Sequence, residues 1–183
     1  MKKLILALGV LIGFSITGNS QIYMGKAGKA SFSSHAPLED IYAESNVCTA
    51  AINTKSNDIS VKLKITTLKM ENSLQQEHLN EKYLESHKFP YASFKGKIEG
   101  DIDWTKDGVY DVKVNGNLLV HGIGRARTLD AKITIEKGQI SAKAAFDITV
   151  KDHEVEIPKL VFQKVAEVVQ VEIDIPLEPY QKK

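Results

Sequence analysis

Catalysis and metal binding need donors, acceptors or ligands at workable spacing, and the histidines are the first candidates. The chain has five, His35, His78, His87, His121 and His153, with no pair four residues apart on a helical stretch. Metal sites usually show such local spacing, or a Cys-X-X-Cys pair, which a chain with Cys48 as its single cysteine cannot form. Asp101 and Asp103 are paired carboxylates beside Trp104, but they alternate with Ile102 just ahead of a turn, the pattern of a solvated strand face. After residue 20 no Gly-X-Ser-X-Gly elbow occurs, and Gly122-Ile123-Gly124 falls far short of a nucleotide loop. Cys48 sits among Val47, Ala50 and Ile52 and reads as a small buried apolar group, since nothing nearby would lower its pKa. These residues give an enzyme reading little to stand on, and no metal and no cofactor are expected.

The elements that must position any site are strands. Val169, Val171, Ile173, Ile175 and Leu177 alternate with Gln170, Glu172 and Asp174. Ile140, Ala142, Ala144, Phe146 and Ile148 repeat the beat against Ser141, Lys143, Ala145, Asp147 and Thr149. Period two sends successive side chains to opposite faces of a sheet, and its repetition along the chain implies an antiparallel sheet with one apolar face.

The first 20 residues are set apart. Lys2 and Lys3 precede an apolar run from Leu4 to Phe14, and small and polar residues follow through Ser20. This is the pattern of a signal peptide cleaved between Ser20 and Gln21, leaving one domain at 21–183. The apolar run is about half of the roughly 20 residues that a membrane span needs, so no anchor remains after cleavage. No cysteine stands near the cleavage region for lipidation. The expected location is periplasmic or secreted, in a bacterium. The leader holds two lysines and no acid, so 22 of the 24 basic residues remain against 23 acidic ones, and this balance offers nucleic acid no basic surface.

Along the rest, Lys29–Ser33 and Ile41–Asn53 read as early strands, and Ile59 to Ile65 as another. From Ser73 to Ser86 the spacing of Leu74, His78, Leu79 and Tyr83 is helical, with Ser73 or Asn72 as cap and Gln76 placed for a capping box. Phe89-Pro90 ends that segment. Strands resume with Phe94, Gly96, Ile98, Gly100 and Ile102 on one face, then Tyr110 to Val120, Leu129 to Ile135, and the pair flanking the last turns. Lys106-Asp107-Gly108 and Lys137-Gly138 are hairpin signals, and Lys159–Lys164 has room for one helical turn.

The fold expected is all-β: a single antiparallel closed barrel of about eight strands with one helical segment near residues 73–86. An interior of that size is either filled by side chains or holds one small ligand. Gly96, Gly100, Gly116, Ala131, Ala142 and Ala144 on the apolar faces would leave volume unfilled, unless the glycines only mark bulges. On the residues alone both interiors stand open.

The segment His78–Gly96, HLNEKYLESHKFPYASFKG, resembles the YceI-like family of bacterial exported proteins, and LLVHGIGR at Leu118–Arg125 is similar to that family's second signature. The resemblance runs from Gly25 to Leu177 and includes the spacing of both signatures. Gly124 stands where a threonine is common, and Gln76 and Glu77 stand where a basic-acidic pair often precedes the His-Leu. The resemblance implies a lipocalin-like barrel that takes a polyisoprenoid or other long-chain lipid into its lumen. Phe94, Ile98, Val112, Val114 and Leu118 would then line one part of the lumen, and Ile133, Ala142, Ala144, Phe146 and Ile148 the other. His78, Leu79, Tyr83, Phe89, His121 and Arg125 would stand at its mouth. There His78 and His121 could bind a headgroup, helped by Arg125 or Arg127, or could simply satisfy backbone groups where the helix meets a strand end, which is the simpler reading. A filled barrel serving as a stress-response or interaction module is the competing function. Nothing in the sequence sets the oligomeric state, and a homodimer is compatible with it.

Overall fold

The computed structural model describes residues 21–157 and 165–180; the leader expected at 1–20 and the helical turn expected at Lys159–Lys164 lie outside them. Eight strands follow in order: β1 Ile22–His35, β2 Asp40–Asn53, β3 Asp58–Lys64, β4 Tyr91–Glu99, β5 Gly108–Val120, β6 Ile123–Glu136, β7 Gln139–Thr149 and β8 Val168–Pro179. Each pairs antiparallel with the next, and β8 returns to β1 to close the barrel. One short helix, α1 (Ser73–His78), lies in the long β3–β4 connection. No helix among the described residues is long and apolar enough to cross a membrane.

β1 starts seven residues earlier than its alternation indicates. Its register shifts between Gly25 and Gly28 and again between Gly28 and Ala30, and each bulge interrupts the period-two pattern that identifies a strand. β6 likewise begins at Ile123, not Leu129, because His121-Gly122 is itself a hairpin turn. Both residues have positive φ, 50° and 75°, and Val120 pairs with Ile123 across them. Lys137-Gly138 makes the same kind of turn between β6 and β7, as its residues indicate. β4 ends sooner than expected, at Glu99, since Gly100 takes φ 138°. Asp101 and Asp103 therefore lie in a loop, where the Asp103 carboxylate accepts from the Thr105 amide (3.0 Å) and hydroxyl (2.6 Å).

In α1 the cap is Asn72, whose Oδ1 accepts from the amides of Leu74 (2.9 Å) and Gln75 (3.1 Å). That choice places Gln76 one residue beyond the capping-box position, and its Oε1 accepts from the Met70 amide instead. One widened turn at Leu79–Tyr83 continues the helix, which stops before Ser86: Glu85 adopts φ 39°, ahead of any effect of Pro90.

Packing differs between the two ends. At the end bearing the β2–β3, β4–β5 and β6–β7 turns, Ile52, Ile98, Ile135, Ile140 and Leu177 are buried together, with Trp104 laid against them. Trp104 Nε1 donates to Asn57 Oδ1 at 2.9 Å, so the indole closes the barrel without an orphaned polar group. Gly96 and Gly116 pair across β4 and β5, and the ring of Phe94 occupies the space their side chains would take: a Cβ on Gly116 would fall 2.6 Å from that ring. These glycines admit an aromatic ring rather than leaving a void.

Truncating the closed end should cost stability without touching the other end. Ile98→Ala is expected to lower unfolding free energy by about 2–5 kcal/mol, read from urea denaturation, because the residue is 2% exposed in a packed cluster.

Candidate functional site

The other half of the barrel is not packed shut. A cavity of about 520 Å³ opens there, within the range of ligand pockets. Its walls are inward side chains of all eight strands, among them Ala50, Val61, Phe94, Leu118, Ala144 and Val171. Its roof is the β3–β4 connection, which contributes Leu68, Met70, Leu74, Leu79, Tyr83 and Leu84. Polar side chains gather at the rim, where Glu39, Asn72, Gln75 and His78 face the opening. The lining is mostly apolar, with the buried polar side chains of Ser31, Ser34 and His153 also on it, and burial pushes the Cys48 thiol up to about 11, an unreactive state at neutral pH.

The roof is tied down along its length. Glu44 and Lys69 exchange backbone hydrogen bonds at 3.1 and 2.7 Å, Ser45 Oγ meets Thr67 Oγ1 at 2.8 Å, and Gln75 Nε2 donates to Glu39. Leu68 and Leu79 pack on Ala43 beneath it. Its far end is held by His121: Nε2 lies 3.0 Å from Glu85 Oε2 and Nδ1 lies 3.2 Å from the His153 carbonyl. Two oxygen atoms thus face the two ring nitrogens. Phe89 stands edge-on to the same ring at 4.6 Å and lies under Gly122, where a Cβ would fall 2.6 Å from it. His153 is fully buried with Nδ1 3.0 Å from the Ile123 carbonyl.

Of the ten lumen residues named from sequence, Phe94, Val114, Leu118, Ile133, Ala142, Ala144, Phe146 and Ile148 line the cavity. Ile98 and Val112 sit instead in the main core cluster, outside the cavity wall. Of the mouth residues, His78, Leu79 and Tyr83 line the cavity, with His78 Nε2 accepting from Lys82 Nζ at 3.0 Å. Phe89 and His121 form the clamp just described, and Arg125 reaches the Asp152 carbonyl. Sequence reasoning missed the walls from β1, β2, β3 and β8. Their inward residues, such as Cys48, Ile59 and Ile173, were legible from the same alternation. Glu85, exposed in sequence terms, carried no signal at all. Among the described residues no three His, Cys, Asp or Glu side chains converge as a metal site would require.

A family model described as a YceI-like domain matches residues 20–177. Among solved structures, a polyisoprenoid binding domain from Saccharophagus degradans, implicated in plant cell wall breakdown, superposes with a TM-score of 0.74 at 13% identity, over 88% of this chain and 99% of that one. BcnA of Burkholderia cenocepacia gives 0.68 at 11% identity, over 81% and 95%. A Campylobacter jejuni YceI protein gives 0.55 at 17% identity, over the full length of both. At these identities the likeness is one of fold. No functionally curated protein matches the sequence.

The clamp makes stability depend on pH with a definite sign. Lys88, then His121, hold the Glu85 carboxyl below its ordinary value, so folding favours the ionised form. The contribution is present above the ordinary carboxyl range, about pH 4.3, and is lost as pH falls through the lowered value. Urea midpoints measured from neutral pH downward should therefore fall less steeply in Glu85→Gln than in the parent; parallel curves would contradict the clamp.

Proposed function

The chain belongs to the YceI-like family, and on that premise we propose that it is an exported carrier that holds a polyisoprenoid or similar long-chain lipid in the barrel. The observation that supports this most is the contrast between ends: one is packed to the level of a protein core, while the other encloses about 520 Å³ of hydrocarbon-lined space. A filled-barrel module has no use for that space, and an empty apolar cavity forgoes the contacts its lining would otherwise make. The relative from Saccharophagus degradans, described as polyisoprenoid binding, points to the same class of ligand.

Binding of this kind is burial rather than reaction. Each methylene taken from water contributes about 0.8 kcal/mol, so a tail of modest length suffices for tight binding. Burial has no direction, and selectivity falls to cavity length, bend and the few polar groups at the rim. The leader at 1–20 would deliver the protein to the periplasm or medium, where a lipid crossing water needs such a container.

Two measurements test the reading. Native mass spectrometry of the protein purified without its leader should show a bound long-chain lipid, and the emptied protein should take up a fluorescent polyprenyl probe. Ala144→Phe, which fills the lumen from β7, should weaken uptake by about tenfold or more while the protein stays folded by circular dichroism. Absence of both lipid and uptake in the parent would sink the proposal.

A further inference from the structure

The barrel wall is not continuous. β6 is hydrogen-bonded to β5 over its whole length, and β7 to β8 over most of its own, but β6 and β7 pair only from Glu136–Gln139 back to Ala131–Ala144. Above that point Ile123–Asp130 and Ala145–Thr149 run as facing edges without a ladder between them. The separation closes again at the rim, where His153 meets the Ile123 carbonyl. The lumen lies directly behind it: Leu129, Ala131, Ala144, Phe146 and Ile148 flank the split and line the cavity. Lys143, an outward residue of β7, also touches the cavity and, with Ala131 and Ala144, belongs to a groove on the outer surface.

Two arginines occupy this split. Cross-strand partners share a face, and Arg125 pairs with Leu118 while Arg127 pairs with Gly116, so both are in register with the inward residues of β6, yet neither lines the cavity and Arg125 is exposed. Each bends sideways into the split to donate to a carbonyl of the β7 side: Arg127 Nη2 to Asp147 at 2.6 Å, and Arg125 Nε to Asp152 at 2.7 Å. They are the only arginines in 183 residues; every other basic side chain apart from histidine is lysine. A guanidinium carries five N–H donors in a planar fork suited to phosphate or carboxylate, and each of these commits one of them to the opposite strand. Neither forms an ion pair among the described residues. Asp147 and Asp152 offer main-chain oxygens only, and Asp130 is paired with Lys113 at 2.7 Å. Two positions along a strand set the arginines roughly 6.6 Å apart, close enough for both to reach one tetrahedral anion.

We propose that the split between β6 and β7 is a side opening of the cavity, at which Arg125 and Arg127 hold the anionic headgroup, a phosphate or carboxylate, of an amphiphile whose tail lies in the barrel. This rests on the carrier reading above and adds the charge class of the ligand and the place where its polar end emerges. Calorimetric titration with geranylgeranyl monophosphate, geranylgeraniol and inorganic phosphate tests it, on the parent and on the Arg125→Gln/Arg127→Gln double variant at low and high salt. The monophosphate is expected to bind the parent at least about tenfold tighter than the alcohol, the effect of one charge-assisted hydrogen bond. That advantage should vanish in the double variant and shrink in high salt, while the alcohol binds both proteins alike and thereby reports that the variant is folded. Inorganic phosphate should bind at least about a hundredfold more weakly than the monophosphate, since it lacks the tail that burial holds.

Equal affinity of the parent for monophosphate and alcohol overturns the proposal whether or not the variant folds, and so does a preference that survives in the variant. Inorganic phosphate binding as tightly as the prenyl phosphate overturns it too, by assigning the arginines to a free anion. If neither prenyl compound binds, the carrier reading fails and this inference with it; if the alcohol binds and the phosphate gains nothing, only this inference fails.

Discussion

The buried contacts at the closed end are what the rest of the structure depends on. Ile52, Ile98, Ile135, Ile140 and Leu177 pack with Trp104 over them and close that end. Because stability is concentrated there, the opposite end is free to remain under-filled. A barrel packed evenly along its axis would have no room for a ligand, and one packed nowhere would collapse. Division of the lumen into a core and a container follows from which strand positions carry isoleucine and which carry alanine: Ile135 and Ile140 close one end, while Ala131, Ala142 and Ala144 leave space toward the other.

Much of this was legible in the sequence, because one face of a strand must be apolar and period two is hard to disguise. The closed barrel and its number of strands follow from that rule. Where the rule failed, the cause was local. Bulges at Gly25 and Gly28 shift the alternation in β1, and His121-Gly122 turns the chain where an uninterrupted strand pattern had no reason to stop. Gly96 and Gly116 misled for another reason. A glycine's missing side chain is a void only if no neighbour takes the space, and the ring of Phe94 takes it.

The candidate site was less legible than the fold. Whether a barrel is filled depends on side chains from many strands meeting in space, and no single segment records the result. His121 illustrates the difficulty. Its place in a signature leaves open both a headgroup contact and the simpler role of satisfying groups where the helix meets a strand end, and only the folded chain shows the ring on Glu85 and the His153 carbonyl. Arg125 and Arg127 show the converse: their inward register becomes meaningful only once the ladder beside them is seen to end.

Order along the chain has a consequence for how the protein comes to exist. Seven of the eight strand pairings join neighbours in sequence, so hairpins can assemble progressively from local contacts. The eighth, β1 with β8, joins residues about as far apart as the domain allows, and such non-local closure is the slow, entropically costly event in forming a β-structure. Without the β1–β8 pairing the strands would form a curved open sheet with its apolar face exposed and no enclosed volume. The container therefore exists only where the two ends of the domain meet.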